Sequence, residues 1–200
     1  RPPRAEVAGV LWREELERGA AGHDAPAEDR AAVEACAGMG AAGYGELPAE
    51  EAGRLFRWLK LGPGDVFADL GSGTGKLVLQ AALETGVGRA LGVELSRFRH
   101  EAALERWERL GRPERVELRC EDFRASDLSE VTVLFAGATV FPEELVAELG
   151  ELAGRWAREG RLARVLSTRE LVGEGLRERG RLKVRTSWGV PTAVVLYERV

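Results

Sequence analysis

The chain has 200 residues, 44% of them hydrophobic and 31% charged, with a formal net charge of −4. That length and composition suit one globular domain with a sizeable core, and the acidic balance argues against binding nucleic acid by charge alone, which depends on neutralising phosphates. No apolar run reaches the ~18 residues that a membrane span needs, and Cys36 and Cys120 frame neither a disulfide scaffold nor a zinc site, which points to a reducing compartment.

In chain order, Arg1-Pro2-Pro3-Arg4 is not a signal-peptide pattern. Residues 5–19 read as a helix with Val7, Leu11 and Trp12 near one face. Gly22-His23-Asp24-Ala25-Pro26 breaks it, and a second helix is predicted from Ala27 to Ala37. Gly38, Gly40, Gly43 and Gly45 are too many glycines for a helix and suit a mobile loop. Pro48 opens a third helix that ends near Leu61, before Gly62-Pro63-Gly64. From Asp65, strands and helices alternate over 65–70, 76–86, 89–94, 97–110, 115–120, 131–136, 142–158, 161–167 and 169–179. Leu182–Trp188 and Thr192–Glu198 then read as a hairpin across Gly189-Val190-Pro191. The expected fold is α/β: a mostly parallel seven-stranded sheet with an antiparallel last strand, preceded by N-terminal helices. Its core should hold Val66, Ala68, Leu70, Leu91, Val93, Val116, Leu118, Val133, Phe135, Val165 and Val195. Residues 1–47 are expected to form a helical lead and a covering loop, and 48–200 the main domain. Arg155, Arg158, Arg161 and Arg164 read as a solvated helix end and strand start rather than a binding patch.

The most informative stretch is Asp69-Leu70-Gly71-Ser72-Gly73-Thr74-Gly75-Lys76, between a predicted strand and a predicted helix. A strand, a glycine turn and a helix together hold nucleotide-like ligands. Lys76 stands where the dinucleotide pattern G-x-G-x-x-G needs its last glycine, and Leu77 follows Gly75-Lys76 where a phosphate loop needs Ser or Thr. An acid ahead of the glycines repels a pyrophosphate and suits a cation, and S-adenosylmethionine carries a sulfonium and an ammonium. Glu94, at a predicted strand end downstream, can accept hydrogen bonds from both ribose hydroxyls. Asp122 and Phe123 are spaced to meet the adenine amino group and ring. Taken singly, Glu94 or Asp122 would read as a loop carboxylate in water; the ordered trio favours the cofactor. No metal site is expected.

A parallel sheet closed by an antiparallel last strand, with this turn, is the class I methyltransferase architecture. Tyr44-Gly45-Glu46-Leu47-Pro48, Arg57-Trp58-Leu59, Gly64 through Lys76, Gly92-Val93-Glu94-Leu95-Ser96, Glu121-Asp122-Phe123 and Ser187-Trp188-Gly189-Val190-Pro191 resemble the disruptor-of-telomeric-silencing (Dot-one-like) histone lysine methyltransferases over roughly residues 40–200. The resemblance implies methyl transfer from S-adenosylmethionine to a protein lysine, with S-adenosylhomocysteine as product. It implies that Tyr44-Gly45-Glu46 closes over the methionine part of the cofactor. Asp69, Gly71, Ser72, Gly73, Thr74, Gly75 and Lys76 would line the cofactor's amino-acid end, Glu94 the ribose, and Asp122 with Phe123 the adenine. Tyr44, Glu46, Trp188 and Phe141 would surround the transfer, Trp188 walling a channel that strips water from the acceptor amine and lowers its pKa.

The chain departs from the family after the strand at 131–135. Gly137 stands where an asparagine is expected and Thr139 where an aromatic is, while Phe141 keeps one aromatic nearby. The family's lysine-rich segment for nucleosomal DNA is missing from these residues. The expected partner is a protein with an accessible lysine, a histone or nucleosome among the candidates, with no strong intrinsic nucleic-acid binding, no membrane, and a nuclear or cytoplasmic location. A small-molecule or RNA acceptor, or a catalytically idle cofactor-binding module, stays open. Glu46 is a candidate for deprotonating or orienting the amine, and His23 and His100 are given no catalytic part. Alignment of two bound reactants supplies about 7–11 kcal/mol, so a base is optional.

Overall fold

The computed structural model describes residues 12–16, 24–187 and 189–200. In chain order the elements are α1 (Ala27–Ala37), α2 (Ala49–Leu59), β1 (Val66–Leu70), α3 (Lys76–Glu84), β2 (Arg89–Glu94), α4 (Arg97–Arg109), β3 (Val116–Cys120), β4 (Val133–Ala136), α5 (Glu143–Glu159), β5 (Arg164–Ser167), β6 (Leu176–Val184) and β7 (Thr192–Arg199). A 3-10 turn at Ala138–Val140 joins β4 to α5, and residues 12–16 are helical. The rest of the helix expected over 5–19, with His23 and Trp188, lies outside the described residues.

The sheet runs β3-β2-β1-β4-β5-β7-β6. β1 is parallel to β2 and β4, β2 to β3, and β4 to β5, while β7 is antiparallel to β5 and β6. The inner parallel strands β1, β2, β4 and β5 are almost wholly buried because both faces are covered, while the edge strand β3 alternates Val116 and Leu118 with the part-exposed Glu117 and Arg119. In β1, Phe67 enters one core beneath α2 and α3 with Leu55, Phe56, Leu77 and Val78. Its neighbours Ala68 and Leu70 enter the other core with Leu145, Leu149 and Ala153 of α5. β4 repeats the pattern, with Val133 and Phe135 on the first side and Leu134 and Ala136 on the second. The expected core residues join these two clusters, Val66 and Leu118 as partly buried members. Each fully buried leucine contributes about 1.5–3 kcal/mol of apolar transfer, which fixes the strand ends where the site is built. The chain reverses its strand order at β1, between β2 and β4, and ligands of open α/β sheets bind outside the carboxyl ends of strands at such a switch.

Two expectations are corrected. Residues 169–179 are not a helix: the chain from Glu170 to Gly175 is irregular, and β6 begins at Leu176. Backbone packing overrides the local preference there. A Cβ on Gly150 would stand 2.4 Å from the Val172 carbonyl, and one on Gly154 would stand 2.6 Å from that of Glu174, so the segment lies flat against α5. Gly175, at φ +85, then turns the chain into the strand. The closing hairpin is correspondingly longer in its first arm than the expected 182–188. The glycine-rich segment 38–45 is non-helical as expected and is built of successive turns at 39–42, with Ala41 and Ala42 buried.

Candidate functional site

Between β1 and α3, Gly71, Gly73 and Gly75 take φ of +76, +55 and +75. This left-handed region is strained for any residue with a Cβ. Their spacing bends the chain so that amides point inward. Gly71 and Ser72 donate to the Val93 carbonyl at 2.9 and 3.1 Å, and Gly73 donates to Glu94 Oε2 at 2.7 Å. The other Glu94 oxygen accepts from the Ser96 amide at 2.8 Å. Glu94 therefore ties the turn after β1 to the turn after β2. Burial raises its pKa against the pull of the Ser96 and Gly73 amides and Arg99.

Asp69 sits at the end of β1, beside Gly92 and Phe135 in the neighbouring strands. Its residue is 5% exposed, and its carboxyl has no hydrogen-bond partner among the described residues. Burial, then the charge of Glu94, pushes its pKa up to about 8. A buried carboxyl without donors costs several kcal/mol when ionised unless a cation or donor compensates it. The position is therefore built for a positively charged ligand group.

A cover lies over the turn. Arg99 of α4 donates to the carbonyls of Ala42 (2.5 Å) and Gly43 (3.3 Å) and stacks its guanidinium 4.8 Å from the centre of the Tyr44 ring. The Tyr44 hydroxyl donates to the Glu46 carboxylate and lies 3.1 Å from Thr74 Oγ1. Burial, then Glu46, keeps that phenol protonated. Thr74 Oγ1 also donates to Glu46, at 3.3 Å, and Lys76 Nζ pairs with Glu46 Oε2 at 2.5 Å. Glu46 further exchanges backbone bonds with Ser187: its amide donates to Ser187 Oγ (2.9 Å) and its carbonyl accepts from the Ser187 amide (3.0 Å). The loop before α2, the first turn of α3 and the turn after β6 thus meet at Glu46, the first two through its carboxylate and the third through its backbone.

Two adjoining chambers that share part of their lining lie beneath this cover. One holds Asp69, Glu46, Lys76, Phe135, Thr139 and Thr168; the other holds Val33, Glu94, Asp122, Phe123, Phe141 and Leu145. Tyr44, Gly71, Gly73, Gly137 and Val140 line both and form the junction. In the second chamber, Phe123 and Phe141 stack with centroids 6.2 Å apart and an interplanar angle of 12°. Asp122 accepts from the Arg124 amide (2.9 Å) and guanidinium (2.5–2.9 Å), and from Cys36 Sγ at 3.4 Å. Burial alone would raise the Asp122 pKa, but the Arg124 bonds carry it below the usual value.

The expected cofactor residues Asp69, Gly71, Ser72, Gly73, Thr74 and Lys76 share the first chamber, and Glu94, Asp122 and Phe123 share the second. Gly75 lines neither. It caps α3, where a Cβ would stand 3.0 Å from Ala103 Cβ, so it packs the turn against α4. Phe141 lies with Phe123 rather than in the Asp69 chamber. Sequence reading missed Arg99, Arg124 and Thr168. Nothing in the sequence separates the buried Arg99 from the exposed Arg97 two positions earlier.

Residues 34–185 match the protein family described as histone methylation protein DOT1. The chain belongs to that family. A relative in Cryptococcus neoformans var. neoformans serotype D, named histone-lysine N-methyltransferase, H3 lysine-79 specific, is 34% identical over 148 residues, 67% of this chain and 22% of that protein. The chain thus spans about a fifth of that relative's length. A protein-lysine N-methyltransferase of Saccharolobus islandicus is 32% identical over 91 residues, 46% of this chain and 56% of the relative. Among solved structures, an RNA methyltransferase of Salinibacter ruber in complex with S-adenosyl-L-homocysteine superposes with a TM-score of 0.58 at 21% identity, covering 77% of this chain and 93% of that one. At that identity the likeness concerns the fold, a class I Rossmann-like sheet.

Proposed function

We propose that this DOT1-family chain is a catalytic domain that transfers a methyl group from S-adenosylmethionine to a lysine of a protein, a histone being the favoured acceptor. The observation that carries the reading is the Asp69 carboxyl, buried at the switch point and without a donor among the described residues. The cofactor's ammonium satisfies it. Two chambers meeting at a glycine junction match a ligand with an adenosine half and an amino-acid half. In this reading Glu94 takes the ribose hydroxyls through the lone pairs that Gly73 and Ser96 leave free, and Phe123 with Phe141 flanks the base. Asp122 turns its Arg124-bound carboxylate to the adenine amino group. Bound there, S-adenosylmethionine supplies an electrophilic methyl. Glu46, engaged by Tyr44, Thr74 and Lys76, orders the cover and excludes water. It is not the base, and transfer rests on alignment and desolvation. Trp188, outside the described residues, keeps its expected part at the acceptor channel. Residues 1–47 act as lead and cover, and 48–200 as the transfer domain.

The exposed Gly137 and the half-buried Thr139, where the family resemblance implies an asparagine and an aromatic, favour a second reading with a broader acceptor such as RNA or a small molecule. An acceptor screen with radiolabelled S-adenosylmethionine decides between them, using core histones, recombinant nucleosomes, lysate protein, RNA and a metabolite pool. Label on a protein lysine, lost in Gly73→Arg, is expected. Label confined to RNA or metabolites overturns the lysine assignment, and the lack of any affinity for S-adenosylhomocysteine overturns the methyltransferase reading altogether.

A further inference from the structure

The Asp69 chamber carries one polar feature that the cofactor does not use. Thr139, in the turn after β4, and Thr168, immediately after β5, place their hydroxyls 2.9 Å apart in its wall. Both side chains are half-buried. Their strands are neighbours in parallel register, with Ala136 opposite Ser167, so the pair is anchored by the sheet and not by a loose loop. Of the chamber's other polar side chains, Tyr44, Thr74 and Lys76 are committed to Glu46, Asp69 goes to the cofactor's cation in the reading above, and the Ser72 hydroxyl is turned against Gly92. Phe135 and Leu47 are apolar.

We infer that the Thr139–Thr168 hydroxyl pair positions the acceptor amine for attack. The inference rests on the methyltransferase reading and names the groups that hold its nucleophile. Two hydroxyls own two protons and four lone pairs, and their mutual bond uses one of each, so three lone pairs remain to accept. An attacking amine must keep its own lone pair for the methyl carbon and needs acceptors for its N–H groups. Two neutral acceptors supply that without a charge that would hold the amine protonated. As the N–C bond forms, the S–C bond breaks and its electron pair stays on sulfur. The surplus amine proton leaves to water. Glycine at 137 leaves the junction open beside the pair, so the hydroxyls take over the orienting part that a side chain there would play.

The test needs no known acceptor. The probe is an adenosine analogue whose 5′-nitrogen carries the aminobutyrate arm and a three-carbon alkyl amine. Its control carries a plain propyl group instead. Binding of each, and of S-adenosylhomocysteine, is measured by calorimetry to the full chain as wild type, as Thr139→Val with Thr168→Val, and as Thr139→Ser with Thr168→Ser. Two hydrogen bonds predict that wild type favours the aminopropyl probe by about tenfold or more. The valine variant should lose that preference, the serine variant should keep it, and S-adenosylhomocysteine should bind all three within about twofold, which also reports folding. A preference that survives in the valine variant, or is absent from wild type, overturns the inference while leaving the methyltransferase reading intact. Failure of wild type to bind S-adenosylhomocysteine removes that reading and this inference with it.

Discussion

Asp69 and Glu94, at the carboxyl ends of adjacent strands, oppose each other electrostatically. Glu94 keeps two backbone donors, Gly73 and Ser96, while Asp69 has none among the described residues and is held protonated to about pH 8 by burial and by the Glu94 charge. One carboxylate is thus satisfied by the chain, and the other waits for a ligand.

A pH signature follows for the ligand-free chain and for binding. An ordinary aspartate ionises near 3.8, and in the fold Asp69 does so at about 8. Across that window the folded chain keeps a proton that the unfolded chain has released, so Asp69 favours folding below about pH 4, and this advantage is lost as pH rises through 8. The raised pKa of Glu94 acts in the same direction. A cationic ligand favours ionised Asp69, so its binding expels the proton. S-adenosylhomocysteine should bind progressively tighter from pH 6 to about 8, by up to about tenfold per unit. Calorimetry in buffers of different ionisation enthalpy should register the release of about one proton at the acid end of that range. Asp69→Asn should bind weakly and lose the pH dependence; an unchanged pH profile in that variant would rule out Asp69 as the cation site.

Gly73 is the turn position least able to carry a side chain. Its φ is +55, and a Cβ would stand 2.7 Å from Tyr44 Cε2. Tyr44 cannot yield freely, because Arg99 stacks on its ring and its hydroxyl is tied to Glu46. Gly73→Ala should therefore lower cofactor affinity at least ~30-fold by pushing the cover away, with a backbone penalty of about 1–2 kcal/mol in stability. Chemical denaturation together with S-adenosylhomocysteine binding separates the two losses. Wild-type affinity in this variant would mean that the Tyr44 cover does not contact the ligand.

Much of this was legible in the chain. The inner strands of the parallel half announce themselves as largely apolar runs, because helices cover both faces, and the edge strand β3 announces itself by alternation. The glycine turn announces itself because positive φ at Gly71, Gly73 and Gly75 tolerates no other residue easily. The first half of β6 was illegible for a specific reason. Its ladder slips between Glu178 and Gly180, which leaves Arg177, Glu178 and Arg179 exposed in succession, so the period-two alternation that marks a strand is broken. The cover was half legible. Glycines 38 to 45 show an irregular segment, but its anchorage comes from Arg99 on α4, more than fifty positions downstream, where one buried arginine in a charged helix carries no local mark.

Glu46 joins three segments through its carboxylate and backbone, so its charge should govern how firmly the cover stays shut. Glu46→Gln removes the ion pair with Lys76 and one acceptor oxygen while keeping the backbone bonds to Ser187. The pair is about five-sixths removed from solvent on both sides, so the loss should exceed the 0–1 kcal/mol of a surface bridge. Hydrogen exchange should accelerate at the amides of Gly45, Glu46 and Leu47 and stay unchanged in β1 and β4. Exchange as slow as wild type at those amides would show that the backbone bonds alone hold the cover.

Phe141 provides the clearest separation between binding and turnover. The sequence suggested a place near the transfer point, yet its ring stacks on Phe123 beside Glu94 and Asp122, and its edge would meet a Cβ on Gly71 at 3.3 Å. It does not line the Asp69 chamber, where Thr139 and Thr168 lie. Phe141→Ala should therefore weaken adenosine binding, with a stacked pair worth about 0.5–1.5 kcal/mol beyond the apolar area that is lost. The Michaelis constant for S-adenosylmethionine should rise roughly tenfold while the turnover number at saturation stays within about threefold of wild type. Phe141→Leu should recover part of the affinity, because it restores apolar area without the ring face. A collapse of turnover with an unchanged Michaelis constant would put the ring at the reacting methyl after all, and would require the cover and the 3-10 turn to rearrange when the acceptor arrives.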